Sequence, residues 1–333
     1  MAAFHGLFSL KDPATRVVVI ALISDLVVAA VKVIAGFLSN SSAMTSEGVH
    51  TLVDASTEII LLYGMVASRR GRTPEHQLGF GRELYFWNFV VAVLILALGS
   101  GIALVAGARQ ITNPVRLQSE WLNFFVLGCS GAVEAAAMWK AFGNSRTARG
   151  NKSLYRYLSR RRDPTSLTVL FGGIAAIVSL IATALGLSAA AITNDAVYDG
   201  VASIAIATIL AVTAIKLAAD SKSLLIGVPA DPEVVTMIVE RVKLNGAVET
   251  VNGVVSVHLS PDQLLIGLSV AFKTALDTSM IENAIIQVEA SLRNSHPQIV
   301  ALFIKPQSHE HYSKLHECRV AGHDRYAAVV EDG

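Results

Sequence analysis

Between residues 84 and 109 the chain reads LYFWNFVVAVLILALGSGIALVAGAR, 26 residues with no charge before the closing Arg109. A helix needs about 20 mostly apolar residues to cross roughly 30 Å of hydrocarbon, so this stretch predicts a membrane span. Five further runs of the same kind lie near residues 16–38, 43–67, 120–142, 164–187 and 196–219. Composition agrees with that reading. Of 333 residues, 53% are hydrophobic and only 16% charged, with a mean hydropathy of +0.52, whereas a soluble domain carries about 25% charged residues. The predicted class is an α-helical polytopic membrane protein with six transmembrane helices.

Charge in the connections orients those spans. Arg69, Arg70, Arg72 and Arg82 lie between the second and third, and Arg146, Arg149, Lys152, Arg156, Arg160, Arg161 and Arg162 between the fourth and fifth. Basic loops stay on the cytoplasmic side, which places both termini, including residues 1–15, inside the cell. The net charge of +1 gives no indication of nucleic acid as a partner. Only Cys129 and Cys318 are present, too few for a disulfide framework or a CxxC metal site. No P-loop, Ser/His/Asp order or dinucleotide-binding glycine turn appears, so no enzyme class is indicated.

After residue 219 the composition becomes that of a soluble module. Helical periodicity over Pro232–Leu244 and Ser279–Asn294, with strand patterns at Val254–Leu259, Leu264–Phe272 and Ile299–Ile304, predicts an αββαβ order. Residues 220–306 are therefore expected to form a cytoplasmic, ferredoxin-like α+β domain. A module this small buries proportionally little surface and is expected to pack against a second copy. The tail at 307–333 is polar and expected to be flexible.

An ionisable residue at the bilayer centre costs about 2.5–3.5 kcal/mol or more, so each one kept there is a functional candidate. In the second span Ser46-Glu47-Gly48-Val49-His50-Thr51-Leu52-Val53-Asp54 sets His50 and Asp54 four residues apart, about 6 Å apart on one helical face. Their imidazole and carboxylate suit a divalent cation such as zinc, which takes four such donors. The alternative is a His–Asp hydrogen bond that only locks helices. Asp25 in the first span and Asp199 in the sixth lie at depths that could complete the site, Asp199 alternatively being a helix cap. Glu47 and Glu58, one turn to either side of the pair, could line a path or pair with Lys32.

Six spans, a His-x-x-x-Asp face and a cytoplasmic αββαβ module resemble the cation diffusion facilitator family. The likeness is carried by Asn40-Ser41-Ser42-Ala43-Met44, Glu47-Gly48-Val49-His50-Thr51-Leu52-Val53-Asp54 and Gly79-Phe80-Gly81-Arg82-Glu83-Leu84-Tyr85-Phe86-Trp87. Arg162-Asp163-Pro164-Thr165, Val197-Tyr198-Asp199-Gly200 and Asp220-Ser221-Lys222-Ser223-Leu224-Leu225-Ile226-Gly227 extend it. It is most similar to a bacterial branch related to mitochondrial-type zinc transporters. The resemblance implies a homodimer in the inner membrane that exports zinc, or manganese, iron or cobalt, in exchange for protons by alternating access, with no prosthetic group.

One departure stands out. The resemblance implies two metal ligands on the fifth span, where this chain has Gly172-Gly173, and no His, Asp or Glu occurs from Pro164 to Asn194. The cation must then be completed by water, Asp25 or Asp199, or else the chain is a non-transporting partner or regulatory subunit of a membrane dimer. Accessory sites are thin. His76 survives in the loop after the second span, but Thr73 and Phe80 stand where relatives place Asp and His. In the soluble domain His258 is the sole strong candidate, with Lys305 and Gln307 in place of ligands, so that domain is expected to hold no metal. His309, His311, His316, Cys318 and His323 in the tail could sequester borderline ions.

Overall fold

The computed structural model describes residues 13–117, 120–149 and 164–320. The N-terminal residues 1–12, the basic connection from Lys152 to Arg162 and His323 in the tail lie outside these described residues. Two compact units divide between Leu225 and Ile226.

The first unit is helical. Helix α1 spans Pro13–Ser39, α2 Ser42–Ser68 and α3 Glu83–Leu94; a wider, π-helical stretch at Ile95–Ser100 leads without a break into α4, Gly101–Thr112. Then come α5 at Glu120–Arg149, α6 at Pro164–Thr193 and α7 at Val197–Ile226. The expected spans fall on these helices. Four stretches, Ser42–Ser68, Glu83–Thr112, Leu167–Thr193 and Val197–Ile226, are long and apolar enough to cross a membrane, and α5 adds a shorter apolar stretch, Trp121–Ala136. Helix α7 continues to Ile226, beyond the boundary at 219, because Lys216 and Asp220 pair one turn apart at 2.8 Å where the apolar run fades.

The turn between α1 and α2 follows from local chemistry. Asn40 takes a left-handed φ of 55°, a conformation Asn tolerates better than most residues. Ser41 then caps α2, its hydroxyl accepting from the Met44 amide at 3.0 Å. Gly36 and Gly48 bring α1 and α2 into backbone contact, since a Cβ at Gly48 would sit 2.7 Å from the Val33 nitrogen. Polarity is arranged inside out. Val27, Ile34, Phe37, Phe125 and Val212 face outward, while Lys32, Glu47, His50, Asn88 and Asp199 are buried, the distribution a lipid solvent selects.

The second unit follows the expected order, with α8 at Pro232–Lys243, β1 at Val248–Ser260, β2 at Gln263–Phe272, α9 at Thr278–Ser295 and β3 at Ile299–Pro306. Strand β2 is central, antiparallel to β1 and parallel to β3. Its alternate residues Leu264, Ile266, Leu268 and Val270 are buried with Ile238 and Val242 of α8 and Val288 and Leu292 of α9. Asp277 caps α9, accepting the Met280 amide and the Ser279 hydroxyl at 2.8 Å each, and these bonds hold its carboxyl below the usual carboxylate range. A group with a depressed pKa stabilises the fold above its unfolded-state pKa and loses that contribution as pH falls. Asp277→Ala should therefore lower the thermal midpoint of this domain at neutral pH, and melts at descending pH should show the gap to the parent closing below the usual carboxylate range.

Part of the tail at 307–333 is helical: α10 spans His309–Val320. A polar helix with no apolar stripe gives little sequence signal. It is held by neighbours instead: His309 Nδ1 lies 3.1 Å from Asn252 Oδ1 of β1, and Glu310 pairs with Lys314 at 2.9 Å.

Candidate functional site

Helices α1, α2, α5 and α6 line an open-sided cavity of about 260 Å³ that also touches Ile95 in the π-helical stretch. π-Helical stretches recur at functional sites because they shift the register of side chains on a helix face. From α2 come His50 and Asp54, with His50 Nε2 3.1 Å from Asp54 Oδ2. The i, i+4 spacing predicted that meeting. His50 is 3% exposed and Asp54 36%, so the imidazole is sunk in the wall while the carboxylate reaches into the open space. Helix α1 adds Asp25, as its depth suggested, and Glu58 adds a carboxylate one turn beyond Asp54.

Hydroxyls complete the polar lining. Thr168 of α6 donates to Asn88 Oδ1 at 3.0 Å, and Asn88 in turn donates to the Leu84 carbonyl at 2.8 Å, which ties the α6 wall to α3. Ser130 of α5 lies on the same surface. One turn beyond Thr168 along α6, Gly172 and Gly173 line the cavity without side chains. A Cβ built at Gly172 would meet nothing within 4 Å, so space for a side chain exists there.

Asp199, expected beside the pair, is not among the lining residues. It is fully buried at the start of α2, where Ser41 Oγ and the Ser42 amide each donate to it at 2.5 Å, Ser42 Oγ at 2.7 Å and the Ala43 amide at 3.3 Å. It is a cap, but of α2 rather than of its own helix. Glu47 also stays out of the lining, its Oε1 lying 3.5 Å from the Lys32 ammonium. His76 sits exposed in the loop before α3, its amide donating to Thr73 Oγ1 at 3.1 Å and its ring 4.5 Å from that of Phe80. His258 is buried in β1, while Lys305 is exposed on β3 and Gln307 accepts from Ser269 at 3.0 Å. Among the described residues no three His, Cys, Asp or Glu side chains are drawn together tightly enough to hold a metal ion.

One cavity residue was not singled out in the sequence. Glu134 of α5 lines the cavity, and Lys32 of α1, expected as a partner for Glu47 or Glu58, donates to Glu134 Oε1 at 2.7 Å. The signal was available, because Glu134 is a lone carboxylate in an apolar run and falls under the same rule that selected Asp25.

Residues 18–226 match the family model described as the cation efflux transmembrane domain. The chain belongs to the cation efflux family. Three relatives give the scale of the likeness. The "Metal tolerance protein C4" of Arabidopsis thaliana is 27% identical over 264 residues, 79% of this cation efflux chain and 56% of the plant protein. The "Proton-coupled zinc antiporter SLC30A9, mitochondrial" of Xenopus laevis is 27% identical over 225 residues, 67% of this chain and 40% of the relative. Its Homo sapiens counterpart is 26% identical over 230 residues, 68% and 40% of the two chains. The cation efflux chain spans about half the length, or less, of these relatives.

Proposed function

We propose that this protein exports divalent cations, zinc first among them, from the cytoplasm in exchange for protons, by alternating access to the cavity between α1, α2, α5 and α6. The observation that carries the reading is the His50–Asp54 pair at 3.1 Å, its imidazole buried and its carboxylate open to a cavity that Asp25 also lines. Family membership supports cation efflux, and the names of the relatives support zinc and proton coupling. His50, Asp54 and Asp25 are the proposed ligands, with Glu47 and His76 outside the shell and Asp199 a structural cap. A histidine ligates metal in its neutral form and can carry a proton once the metal has left, which makes His50 the proposed exchanging group. Manganese, iron and cobalt accept the same donors and are candidate cargo.

The remaining architecture is proposed with the function. All six helical spans cross the membrane, the basic connections and both termini face the cytoplasm, and residues 220–306 form a ferredoxin-like domain that pairs two copies into a homodimer. The setting is the bacterial inner membrane.

A second reading has its own observation. Gly172 and Gly173 leave α6 without a His, Asp or Glu on the cavity and no three ligating side chains converge among the described residues, which favours a non-transporting partner subunit. Zinc uptake into proteoliposomes separates the two. Transport predicts a zinc flux that rises with an imposed pH gradient, with manganese as competitor to rank the cations. A parent protein that carries no zinc, manganese, iron or cobalt at any gradient establishes the partner role.

A further inference from the structure

The missing donor on α6 has a neighbour able to replace it. Glu134 of α5 lines the cavity that Gly172 lines. One of its oxygens, Oε1, accepts from Lys32 at 2.7 Å; the other, Oε2, is buried and meets no hydrogen-bond donor among the described residues. Lys32 is itself fully buried, donates to Thr51 Oγ1 at 3.1 Å and keeps Glu47 Oε1 within 3.5 Å. Glu134 shares the cavity with Asp25 and Asp54. A buried carboxylate oxygen without a donor is costly to leave as it is. A hard or borderline divalent cation is the partner such an oxygen accepts.

We infer that Glu134 is the cation ligand that takes the place of the one α6 lacks, and that Lys32 is the resident counter-ion that holds this carboxylate until a cation enters. The inference rests on the proposed function and adds to it a ligand and a competitor. A doubly charged ion draws Glu134 more strongly than the single ammonium does. Lys32 is not stranded when that happens, because Glu47 remains beside it and a buried charge keeps a partner. The device explains why a lysine is tolerated buried behind a cation cavity: its charge balances Glu134 and Glu47 while the cavity holds no ion.

Zinc titration of the full-length protein in detergent tests this, with thermal melting of each variant alongside. Glu134→Gln should weaken zinc binding at least tenfold, and Lys32→Gln should bind zinc at least as tightly as the parent, its competitor gone. Adding Gly172→Asp to Glu134→Gln should recover most of the lost affinity, because the new side chain has room on the same cavity. Where Glu134→Gln alone fails to fold, the neutral double variant Lys32→Gln/Glu134→Gln replaces it and is expected to fold and bind weakly. Parental affinity in Glu134→Gln or in that double variant, with affinity lost in His50→Ala, overturns the inference and leaves the proposed function standing. Recovery of binding by Lys32→Gln without a new ligand likewise overturns it, since Glu134 would then serve only to pair the ammonium. A parent that binds no zinc removes the proposed function itself.

Discussion

His50→Ala and Asp54→Ala should each reduce zinc affinity by more than about 100-fold and bring zinc flux to background. The scale follows from metal sites in general: loss of a residue that merely orients a ligand typically costs about 10–100-fold, and these two side chains are proposed as the ligands themselves. Their effects should also be less than additive. The two groups lie 3.1 Å apart and would share one ion, so once either is gone the other has little left to hold. His50→Ala removes the sole imidazole on the cavity among the described residues, so it should shift selectivity as well, away from zinc and toward cations that prefer oxygen, such as manganese. Zinc titration and proteoliposome flux on the two single variants and the double variant check this, with melting curves to confirm that each is folded.

Asp199→Ala should have the opposite signature, a large loss of stability with little change in the affinity of whatever protein folds. Its carboxylate accepts two amides and two hydroxyls at the start of α2. Each buried polar group left without a partner costs about 1–3 kcal/mol, and the buried Ser41 hydroxyl and Ala43 amide lose theirs here together with the half-buried Ser42 donors. The cap holds the first turn of α2, the helix that carries His50 and Asp54 farther along, and Asp199 acts on stability rather than on the metal. Asp199→Asn retains one accepting oxygen and should fall between parent and Ala in thermal midpoint. Melting in detergent, read against zinc affinity, decides the role. Unchanged melting with a tenfold weaker zinc affinity in Asp199→Asn would restore this residue to the ligand set.

These two sites show what could and could not be read along the chain. Helix positions were legible because a membrane span is a long apolar run, and strands β1 to β3 because they alternate between turn signals such as Pro261-Asp262. The His50–Asp54 contact was legible for the same local reason, being fixed by four residues of one helix. Asp199 was not. Its carboxylate and the hydroxyl of Ser41 lie 158 residues apart in the chain, and no local spacing states that α7 begins against the start of α2. Lys32 presents the same difficulty: Glu47 is close to it in sequence, but its shorter contact is to Glu134, 102 residues away. Glu134 itself was within reach, as a solitary acid in an apolar run. Helix α10 lay beyond reach, because a polar segment stabilised by a capping serine and contacts to β1 leaves no periodic trace.

The claim on which the rest depends is that zinc binds between α1, α2 and α5 through one imidazole and several carboxylate oxygens. X-ray absorption spectroscopy of the zinc-loaded protein reads that shell directly. The account predicts first-shell scattering from nitrogen and oxygen at about 2.0–2.2 Å, a single imidazole contribution that vanishes in His50→Ala, and no sulfur. A shell with two or more imidazoles or a sulfur near 2.3 Å, unchanged in His50→Ala, would place the metal on the histidines and cysteine of the tail and contradict it.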